Sequence, residues 1–219
     1  MSAVGRSDVA EPGRDAVLVD FGGVLTSSVM RSFADFGATL GGDPGLPLRL
    51  LSEDEVARRL ISEHESGRTS AEEFERGFAE RLTAHGAPVS AEGLIARMQA
   101  GLTRDEDTIA LVAGLRAAGY PVALVTNAFG RGGYAGFDLA SMADQVVVSS
   151  EVGVRKPSRK IYALACERLG VSPETAVLID DLQQNLDGAA RLGIAGVLHT
   201  SAAETRRQLA ERFGIVAAD

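Results

Sequence analysis

Acidic, hydroxyl and amide residues follow the short apolar runs of this sequence in a repeated way. Asp20 ends the run "AVLVD", and Thr126 and Asn127 end "PVALVTN". Asp180 and Asp181 close "AVLIDD". A single carboxylate in such a place usually caps a turn or a helix. Polar groups at the ends of three separate runs indicate a common site instead.

The residue types in this set suit a phosphoryl group held beside a metal ion. An acid pair together with an isolated aspartate supplies the oxygen ligands that Mg²⁺ prefers, and Mg²⁺ in proteins usually also contacts substrate phosphate. Lys156, in "EVGVRKPS", and the hydroxyl of Thr126 suit the remaining phosphoryl oxygens. We therefore expect a magnesium ion and a small phosphorylated substrate at one site.

The apolar runs that carry these residues have the length and pattern of buried strands. They lack polar alternation, which is expected when helices cover both faces of a parallel sheet. Ligands of such sheets bind outside the carboxyl ends of the strands, where the polar residues stand. Amphipathic stretches between the runs predict helices, so we expect an α/β fold with a Rossmann-like parallel sheet. The predicted strands cover 16–20, 121–127, 144–150, 176–181 and 195–200, and the predicted helices cover 105–118, 158–169 and 184–192.

Residues 28–103 interrupt this alternation with helical patterns only. "TSAEEFERGFAERL" begins with a Thr or Ser cap, and Phe74, Phe78 and Leu82 recur every four residues along one face. We predict a helical cap subdomain over 28–103, inserted into a core domain formed by 14–27 and 104–219. Residues 1–13 are predicted to form a flexible tail.

The composition argues against several classes of function. A formal net charge of -8 over 219 residues does not suit a general nucleic-acid binder, which needs basic patches. The single cysteine, Cys166, permits no intramolecular disulfide and lies on the apolar face of a predicted helix, which favours a buried structural thiol. No apolar run reaches the roughly 18 residues of a membrane span, and the N-terminus does not resemble a secretory signal. We expect a cytoplasmic protein without membrane or nucleic-acid partners.

Four motifs in chain order resemble those of the haloacid dehalogenase (HAD) superfamily of hydrolases, most of which are phosphatases. The strand ending in an aspartate stands here as "DFGGVLT", the strand ending in Thr or Ser as "VALVTN", the lysine motif as "GVRKP" and the paired acids as "VLIDDLQQNLDGAARLG". The resemblance extends over nearly the whole chain. The helical insertion containing "ESGRTSAEEF" is similar to the cap of subfamily IA, to which the phosphatase domain of soluble epoxide hydrolase belongs.

The resemblance implies a role for each site residue of a magnesium-dependent phosphatase. Asp20 is the nucleophile that forms an aspartyl-phosphate. Asp20 and Asp181 hold Mg²⁺ directly, Asp180 acts nearby or through water, and Gly22 offers its backbone carbonyl to the metal. The residues implied to bind the phosphoryl oxygens or a leaving group are Thr126, Asn127 and Lys156, of which Thr126 and Lys156 also count as catalytic.

Gly22 departs from the family pattern, because phosphatases of this family carry a second aspartate there as general acid and base. General acid–base help is typically worth about 10² to 10⁴ in rate. Three interpretations stay open. The leaving group of the substrate needs little protonation, or water or a cap residue supplies the proton, or the chain is a non-catalytic, regulatory phosphate-binding protein.

Dehalogenation is a further alternative, since the dehalogenases of the superfamily also lack this aspartate. Their first motif resembles Asp-x-Tyr-Gly-Thr, which "DFGGVLT" does not match, and they have no use for an acid pair such as Asp180 and Asp181. The phosphatase interpretation is therefore favoured. The sequence leaves the identity of the substrate and the oligomeric state open.

Other residues of chemically capable types fit ordinary structural roles. His64, His85 and His199 are far apart and lack metal-ligand spacing, so solvent or loop positions are expected. Asn185, after the acid pair, either supports the metal site or caps a helix. The glycine-rich "FGRGGYAGFD" is predicted to be a mobile loop at the edge of the site, with Arg131 as a candidate substrate contact.

Overall fold

A parallel sheet forms the centre of the computed structural model, which describes residues 13–130, 134 and 136–218. Adjacent strands are parallel throughout, and their spatial order is β3-β2-β1-β4-β5. The predicted Rossmann-like α/β class is confirmed. The strands occupy the predicted apolar runs and extend over Ala16–Val19 (β1), Val122–Thr126 (β2), Gln145–Val148 (β3), Ala176–Asp180 (β4) and Ala195–Leu198 (β5).

Helices fill the segment between β1 and the next part of the core. Their apolar faces meet in a cluster that contains Phe74, Phe78 and Leu82, all fully buried, as the spacing of these residues predicts. We call this segment the helical insertion; its boundaries as a separate cap domain stay a prediction. Its helices are Val29–Thr39 (α1), Leu46–Glu53 (α2), Glu55–Glu65 (α3), Ala71–Ala84 (α4) and Leu94–Gln99 (α5).

The start of α4 follows the predicted capping signal. The side chain of Ser70 accepts from the backbone of Glu73, and the side chain of Glu73 accepts from the backbone of Ser70 at 2.8 Å. This reciprocal pair satisfies amides that the first turn of a helix leaves without partners. It fixes where α4 begins, after the turn that follows α3.

The remaining helices cover the two faces of the sheet. Successive residues of β1 point to opposite faces, so Val17 and Val19 pack in one apolar cluster while Ala16 and Leu18 pack in another. Burial on both sides explains the unbroken apolar character of the strands. These helices are Glu106–Ala117 (α6), Leu139–Met142 (α7), Ser149–Val152 (α8), Arg159–Leu169 (α9), Gln183–Ala190 (α10) and Ala202–Phe213 (α11).

Two histidines lie in the interior. The ring of His64, in α3, stacks on Phe74 with a centroid separation of 5.1 Å, contrary to the expectation of a solvent or loop position. His199 follows β5 in a loop, as expected, but it is buried, and its Nδ1 pairs with the hydroxyl of Thr205 at 2.9 Å. Burial lowers the pKa of both imidazoles. The prediction for His64 was wrong because a neutral imidazole packs like an aromatic ring.

The predicted buried role of Cys166 is confirmed, and burial raises the pKa of its thiol to about 11. Such a thiol is a poor nucleophile at neutral pH. Arg131 and most of the predicted tail, residues 1–12, lie outside the described residues. Among the helices of the described part of the chain, none has the length and apolar character needed to cross a membrane.

Candidate active site

The site lies at the carboxyl end of the sheet, where the strand order reverses. The chain runs outward from β1 through β2 to β3 and then returns to the other side of β1 with β4. Val19 pairs with Leu124 on one side and Ile179 on the other, which brings the ends of the three central strands level. Asp20 and Asp180 are therefore neighbours across adjacent strands. Such a reversal is the usual ligand crevice of an open α/β sheet.

A tight turn after β1 holds Asp20 in place. The amide of Phe21 donates to Asp20 Oδ1 at 2.6 Å, and the amide of Leu25 donates to the carbonyl of Phe21 at 2.8 Å. Gly23 has a φ of 82°, in the left-handed region that favours glycine. A Cβ atom at Gly23 would collide with the carboxylate of Asp181. The glycine therefore lets the turn and the second acid pack against each other.

Lys156 is buried between two aspartates. Its Nζ lies 2.6 Å from Asp20 Oδ1 and 2.8 Å from Asp180 Oδ2, and only 2% of its side chain is exposed. Burial acts to lower the pKa of Lys156, but the two carboxylates outweigh burial and raise it above its ordinary value. Lys156 therefore presents a charged ammonium to the oxygen of Asp20.

Asp180 and Asp181 are adjacent in sequence but differ in environment. Asp180 is fully buried, and its Oδ1 accepts from the amide of Leu182 and from Asn185 Nδ2, both at 2.9 Å. Its Oδ2 accepts from Lys156. Oδ1 of Asp181, by contrast, is buried without a hydrogen-bond partner among the described residues. Both oxygens of Asp180 therefore accept hydrogen bonds from within the protein, whereas Asp181 has an oxygen available to a ligand.

The three carboxylates form a cluster that a cation fits. Oxygen atoms of Asp20, Asp180 and Asp181 all lie within 4.8 Å of one another. The single ammonium of Lys156 lies against these three acids, so ionisation of all three leaves the cluster with a net negative charge. The unpartnered oxygen of Asp181 adds the kind of ligand that hard cations take. These residues therefore fit a metal ion.

Crowding and burial shift the protonation of the acids. Burial raises the pKa of Asp20 to about 7. The positive charge of Lys156 opposes this rise, and the negative charges of Asp180 and Asp181 add to it. Burial and the charge of Asp180 raise the pKa of Asp181 to about 6. Both carboxyl groups hold their protons more tightly than ordinary aspartates, chiefly because burial disfavours the charged form and also because like charges lie close together.

Thr126 and Asn127 end β2 beside the acid cluster. Asn127 Oδ1 accepts from the amide of Lys156 at 2.8 Å, and its Nδ2 donates to the carbonyl of Lys156 at 3.3 Å. The side chain of Asn127 thus fixes the main chain that carries the lysine. Thr126 is buried, with its hydroxyl 3.3 Å from that of Tyr134. Both residues line the cavity, and their contacts with a substrate stay a prediction.

A cavity of about 980 Å³ extends over the acid cluster and reaches the helical insertion. Asp20, Thr126, Lys156 and Asp181 line its floor. The insertion and the loop after β2 contribute apolar side chains to its wall, which include Val29, Met30, Phe33, Leu48, Leu51, Ile61 and Phe129. The insertion also lines the cavity with polar and charged side chains, which are Ser52, Glu55, Arg58, Arg59, Ser62, Glu65 and Gln99. The core supplies the acid cluster and Lys156, and the insertion supplies a mixed apolar and polar wall.

Gly22 lines the cavity next to Asp20 without a side chain. Gly22 is not among the glycines with a positive φ, so its backbone conformation does not require a glycine. A Cβ atom at position 22 would meet Cγ2 of Val29, from α1, at 2.9 Å. The insertion therefore occupies part of the space that a side chain at this position would use.

Glu65, Tyr134 and Arg155 are among the cavity side chains that the sequence analysis did not predict. Glu65 ends α3, and its Oε2 lies 2.5 Å from Nε of Arg155, the residue before Lys156. Glu65 stands within "ESGRTSAEEF" and Arg155 within "GVRKP", but nothing in the spacing of the sequence brings the end of α3 to the strand ends. Asn185 supports the acid pair directly, through its bond to Asp180.

Comparison with known proteins gives a family match over most of the chain. The model of the haloacid dehalogenase-like hydrolases matches residues 14–193. A glyceraldehyde 3-phosphate phosphatase of Methanopyrus kandleri is 48% identical over 54 residues, which are 24% of this chain and 23% of that protein. An (S)-2-haloacid dehalogenase of a Pseudomonas species is 28% identical over 90 residues, or 40% of each chain. The matches to these curated relatives span less than half of their length.

Solved structures share the fold over nearly the whole chain. A HAD family enzyme of Bacteroides thetaiotaomicron, crystallised with magnesium and inorganic phosphate, has a TM-score of 0.64 at 22% sequence identity. The match covers 86% of this chain and 96% of that chain. At this identity the likeness concerns the fold.

Proposed function

The chain belongs to the haloacid dehalogenase-like hydrolases, and we propose that it is a magnesium-dependent phosphatase that acts on a small phosphorylated metabolite through an aspartyl-phosphate at Asp20. The observation that carries the proposal is the buried contact between Asp20 and Lys156, 2.6 Å long, on the floor of the cavity. A carboxylate beside an ammonium and within reach of a ligand space suits attack on an anionic phosphoryl group. A cytoplasmic location and the absence of nucleic-acid partners stay predictions.

The proposed reaction has two steps on the phosphorus atom. An oxygen of Asp20 forms a bond to phosphorus while the bond between phosphorus and the leaving oxygen breaks. Water then attacks phosphorus, the bond to Asp20 breaks, and inorganic phosphate leaves. Lys156 offsets negative charge on Asp20 and on the phosphoryl oxygens, and the hydroxyl of Thr126 donates to one of those oxygens.

The residues proposed to hold Mg²⁺ are Asp20, Asp181 and the carbonyl of Gly22. Asp180 belongs to the same site but acts through its neighbours, because its oxygens already accept from Leu182, Asn185 and Lys156. When bound, Mg²⁺ supplies charge that keeps both acids ionised and neutralises phosphoryl oxygens. The unpartnered oxygen of Asp181 is the feature of this chain that supports this ligand.

The relatives include both phosphatases and a dehalogenase. One relative is named for hydrolysis of a sugar phosphate and another for dehalogenation of a small acid. The acid pair distinguishes the two reactions here, because a dehalogenase needs no cation beside its nucleophile. A regulatory phosphate-binding protein is the remaining alternative, and Gly22 is the feature that favours it.

An activity screen with matched variants tests the proposal. Phosphate release from acetyl phosphate, p-nitrophenyl phosphate and sugar phosphates would be measured with Mg²⁺ and with a chelator. We expect activity only with Mg²⁺ and none with Asp20→Asn, since an amide cannot attack phosphorus. Asp187→Asn, an exposed change on α10, serves as the control with wild-type rates. Chelator-resistant halide release from 2-haloacids would contradict the proposal, and absence of any turnover would favour a binding protein.

A further inference from the structure

The proposed phosphatase reaction needs a proton donor that Gly22 cannot provide. An alkyl leaving group departs as a strongly basic alkoxide unless an acid protonates it, and the attacking water of the second step must lose a proton. The donor has to line the cavity beside Asp20. It must also change its protonation state near neutral pH, because the same group gives up the proton and takes one back.

Glu65 is a carboxylic acid that ends α3 of the helical insertion and lines the same cavity as Asp20 and Gly22. Only 13% of its side chain is exposed. Within the described residues, its buried Oε2 has no hydrogen-bond partner. This oxygen lies 2.5 Å from Nε of Arg155 in an ion pair, so a substrate atom reaches it when that contact opens.

The backbone holds Glu65 against the core although the residue belongs to the insertion. The hydroxyl of Ser149, which follows β3, donates to the carbonyl of Glu65. Two residues later, Gly67 approaches the carbonyl of Ser150 so closely that a Cβ atom would not fit, and its φ is 70°. These contacts fix the end of α3 at the carboxyl edge of the sheet, where Asp20 lies.

We propose that Glu65 is the general acid and base of this enzyme and replaces the side chain that Gly22 lacks, an inference that rests on the proposed phosphatase function. In the first step the Glu65 carboxyl donates its proton to the leaving oxygen as the bond between that oxygen and phosphorus breaks, which yields an alcohol and a carboxylate. In the second step this carboxylate accepts a proton from water as the water oxygen bonds to phosphorus and the bond to Asp20 breaks. Phosphate leaves, and both side chains return to their starting states.

The charges around Glu65 support this role. Burial raises the pKa of Glu65 to about 7, while Arg155 and Lys156 act in the opposite direction. Nε of Arg155 lies 2.5 Å from Oε2, yet it too has no hydrogen-bond partner among the described residues, so the two groups attract each other without an aligned hydrogen bond. Such a contact can open when a phosphoryl group, which attracts guanidinium, enters the cavity.

Tyr134 is another proton donor that lines this cavity, and it suits the role less well. Burial raises the pKa of Tyr134 to about 12. Its phenolate would be a rare species at neutral pH, so Tyr134 cannot recover a proton from water in the second step as readily as a carboxylate. Its hydroxyl already pairs with Thr126.

The test compares Glu65→Gln with Glu63→Gln, a change two positions away on α3 at a side chain that does not line the cavity. Rapid-mixing experiments would follow the first turnover of an alkyl phosphate and of p-nitrophenyl phosphate with Mg²⁺ present. For Glu65→Gln we expect a loss of about 10² to 10⁴ in the first step with the alkyl ester, and little change with the aryl ester, whose leaving group needs no proton. The second step should slow for both esters, so that the aryl ester shows a burst.

Glu65→Asp should recover part of the alkyl rate, whereas a merely structural contact with Arg155 would affect both esters alike. Equal losses of the first-step rate with the two esters would overturn the assignment of Glu65 but leave the phosphatase proposal standing. So would a Tyr134→Phe variant that shows the selective loss with the alkyl ester instead. Failure of the wild type to hydrolyse any phosphate ester would overturn both.

Discussion

The two sides of the cavity are built in different ways. On the sheet side, Lys156, Asp180 and Asn127 are joined by short hydrogen bonds that leave their polar atoms with partners. On the insertion side, the buried oxygen of Glu65 meets the Nε of Arg155, a residue of the core, without an aligned hydrogen bond. Apolar side chains such as Phe33 and Leu51, together with charged ones such as Arg58, form the rest of that wall.

This difference separates a fixed part of the site from an adaptable part. A fully bonded polar network in a buried place holds one geometry, because any displacement leaves a polar group without a partner. Apolar side chains and an imperfectly aligned ion pair tolerate displacement at lower cost. Under the proposed function, the sheet side therefore suits the reacting phosphoryl group, and the insertion side suits the rest of the substrate.

The largest contrast is expected within the sheet side, between its two adjacent acids. Asp181→Asn should abolish turnover and Mg²⁺ binding but leave the free energy of unfolding without Mg²⁺ unchanged or higher, because it removes a repelling charge. Asp180→Asn should lower the free energy of unfolding by roughly 3 kcal/mol, since it leaves the buried ammonium of Lys156 with one counter-charge fewer. Urea denaturation and Mg²⁺ titration calorimetry measure both.

Asp187→Asn is the matched control for this pair of variants, since the residue is exposed and lies on α10 beyond the acid pair. If Asp180→Asn and Asp181→Asn lowered the free energy of unfolding equally, this would contradict the assignment of Asp180 as a structural acid and Asp181 as a metal-binding acid. So would an Asp181→Asn protein that still binds Mg²⁺ like the wild type.

Gly22→Asp tests whether Glu65, on the insertion side, performs the proton transfer that a side chain at position 22, on the sheet side, would otherwise perform. Val29 Cγ2 lies 2.9 Å from the place that a Cβ atom of residue 22 would take, so the change is best paired with Val29→Ala. In a Glu65→Gln background, we expect the double change to restore the first step of alkyl phosphate hydrolysis by up to about 10²-fold, with little effect on the first step with an aryl ester. In the wild-type background the gain should be small because Glu65 already supplies the proton.

Rapid-mixing rates of the first turnover on the two esters, compared as a ratio in folded variants, measure this effect, because the second step, which both esters share, does not contribute to them. Restoration on both esters by the same factor would show that the new side chain acts on binding and not on proton transfer. Val29→Ala alone is the control, since it opens the space without adding an acid.

The smallest expected effect concerns stability and pH. The pKa of Asp20 is raised to about 7 and that of Asp181 to about 6, so between about pH 4 and pH 7 the folded state holds more protons than the unfolded state. Without Mg²⁺, the contribution of these two groups to the free energy of unfolding therefore falls as the pH rises through that range. Mg²⁺ replaces the protons, so the rise in Tm on adding Mg²⁺ should be absent near pH 5 and a few degrees near pH 8.

Differential scanning calorimetry at both pH values, with Ca²⁺-free buffers and with Asp181→Asn as the control, measures this shift. A Tm increase of equal size at pH 5 and pH 8 would contradict the assignment of the raised pKa values to the metal site.

The sheet side could be predicted from the sequence because strand register fixes where residues meet. Asp20, Thr126 and Asp180 each end an apolar run, and parallel strands of one sheet present their carboxyl ends at one edge. The pattern of runs was therefore enough to place these side chains together. Even the closeness of Gly23 to Asp181 follows from the short turn after β1.

The insertion side could not be predicted in the same way, because helices place residues by tertiary packing. The spacing of Phe74 and Phe78 showed which face of α4 is buried but not which part of the sheet α3 would approach. Glu65 reaches the site through contacts of its backbone with Ser149, and no sequence period encodes such a contact. His64 was misplaced for a related reason, since its burial depends on the ring of Phe74.

The most direct test of the proposed mechanism is to locate the phosphoryl group during turnover. Wild-type protein and Mg²⁺ would be mixed with p-nitrophenyl phosphate, quenched in acid within the first turnover, and digested for mass spectrometry. We predict one phosphoryl group on the peptide that carries Asp20, labile to hydroxylamine, and none in Asp20→Asn or Asp181→Asn. A wild-type enzyme that releases phosphate while Asp20 stays unmodified would contradict the central claim that this carboxylate is the nucleophile.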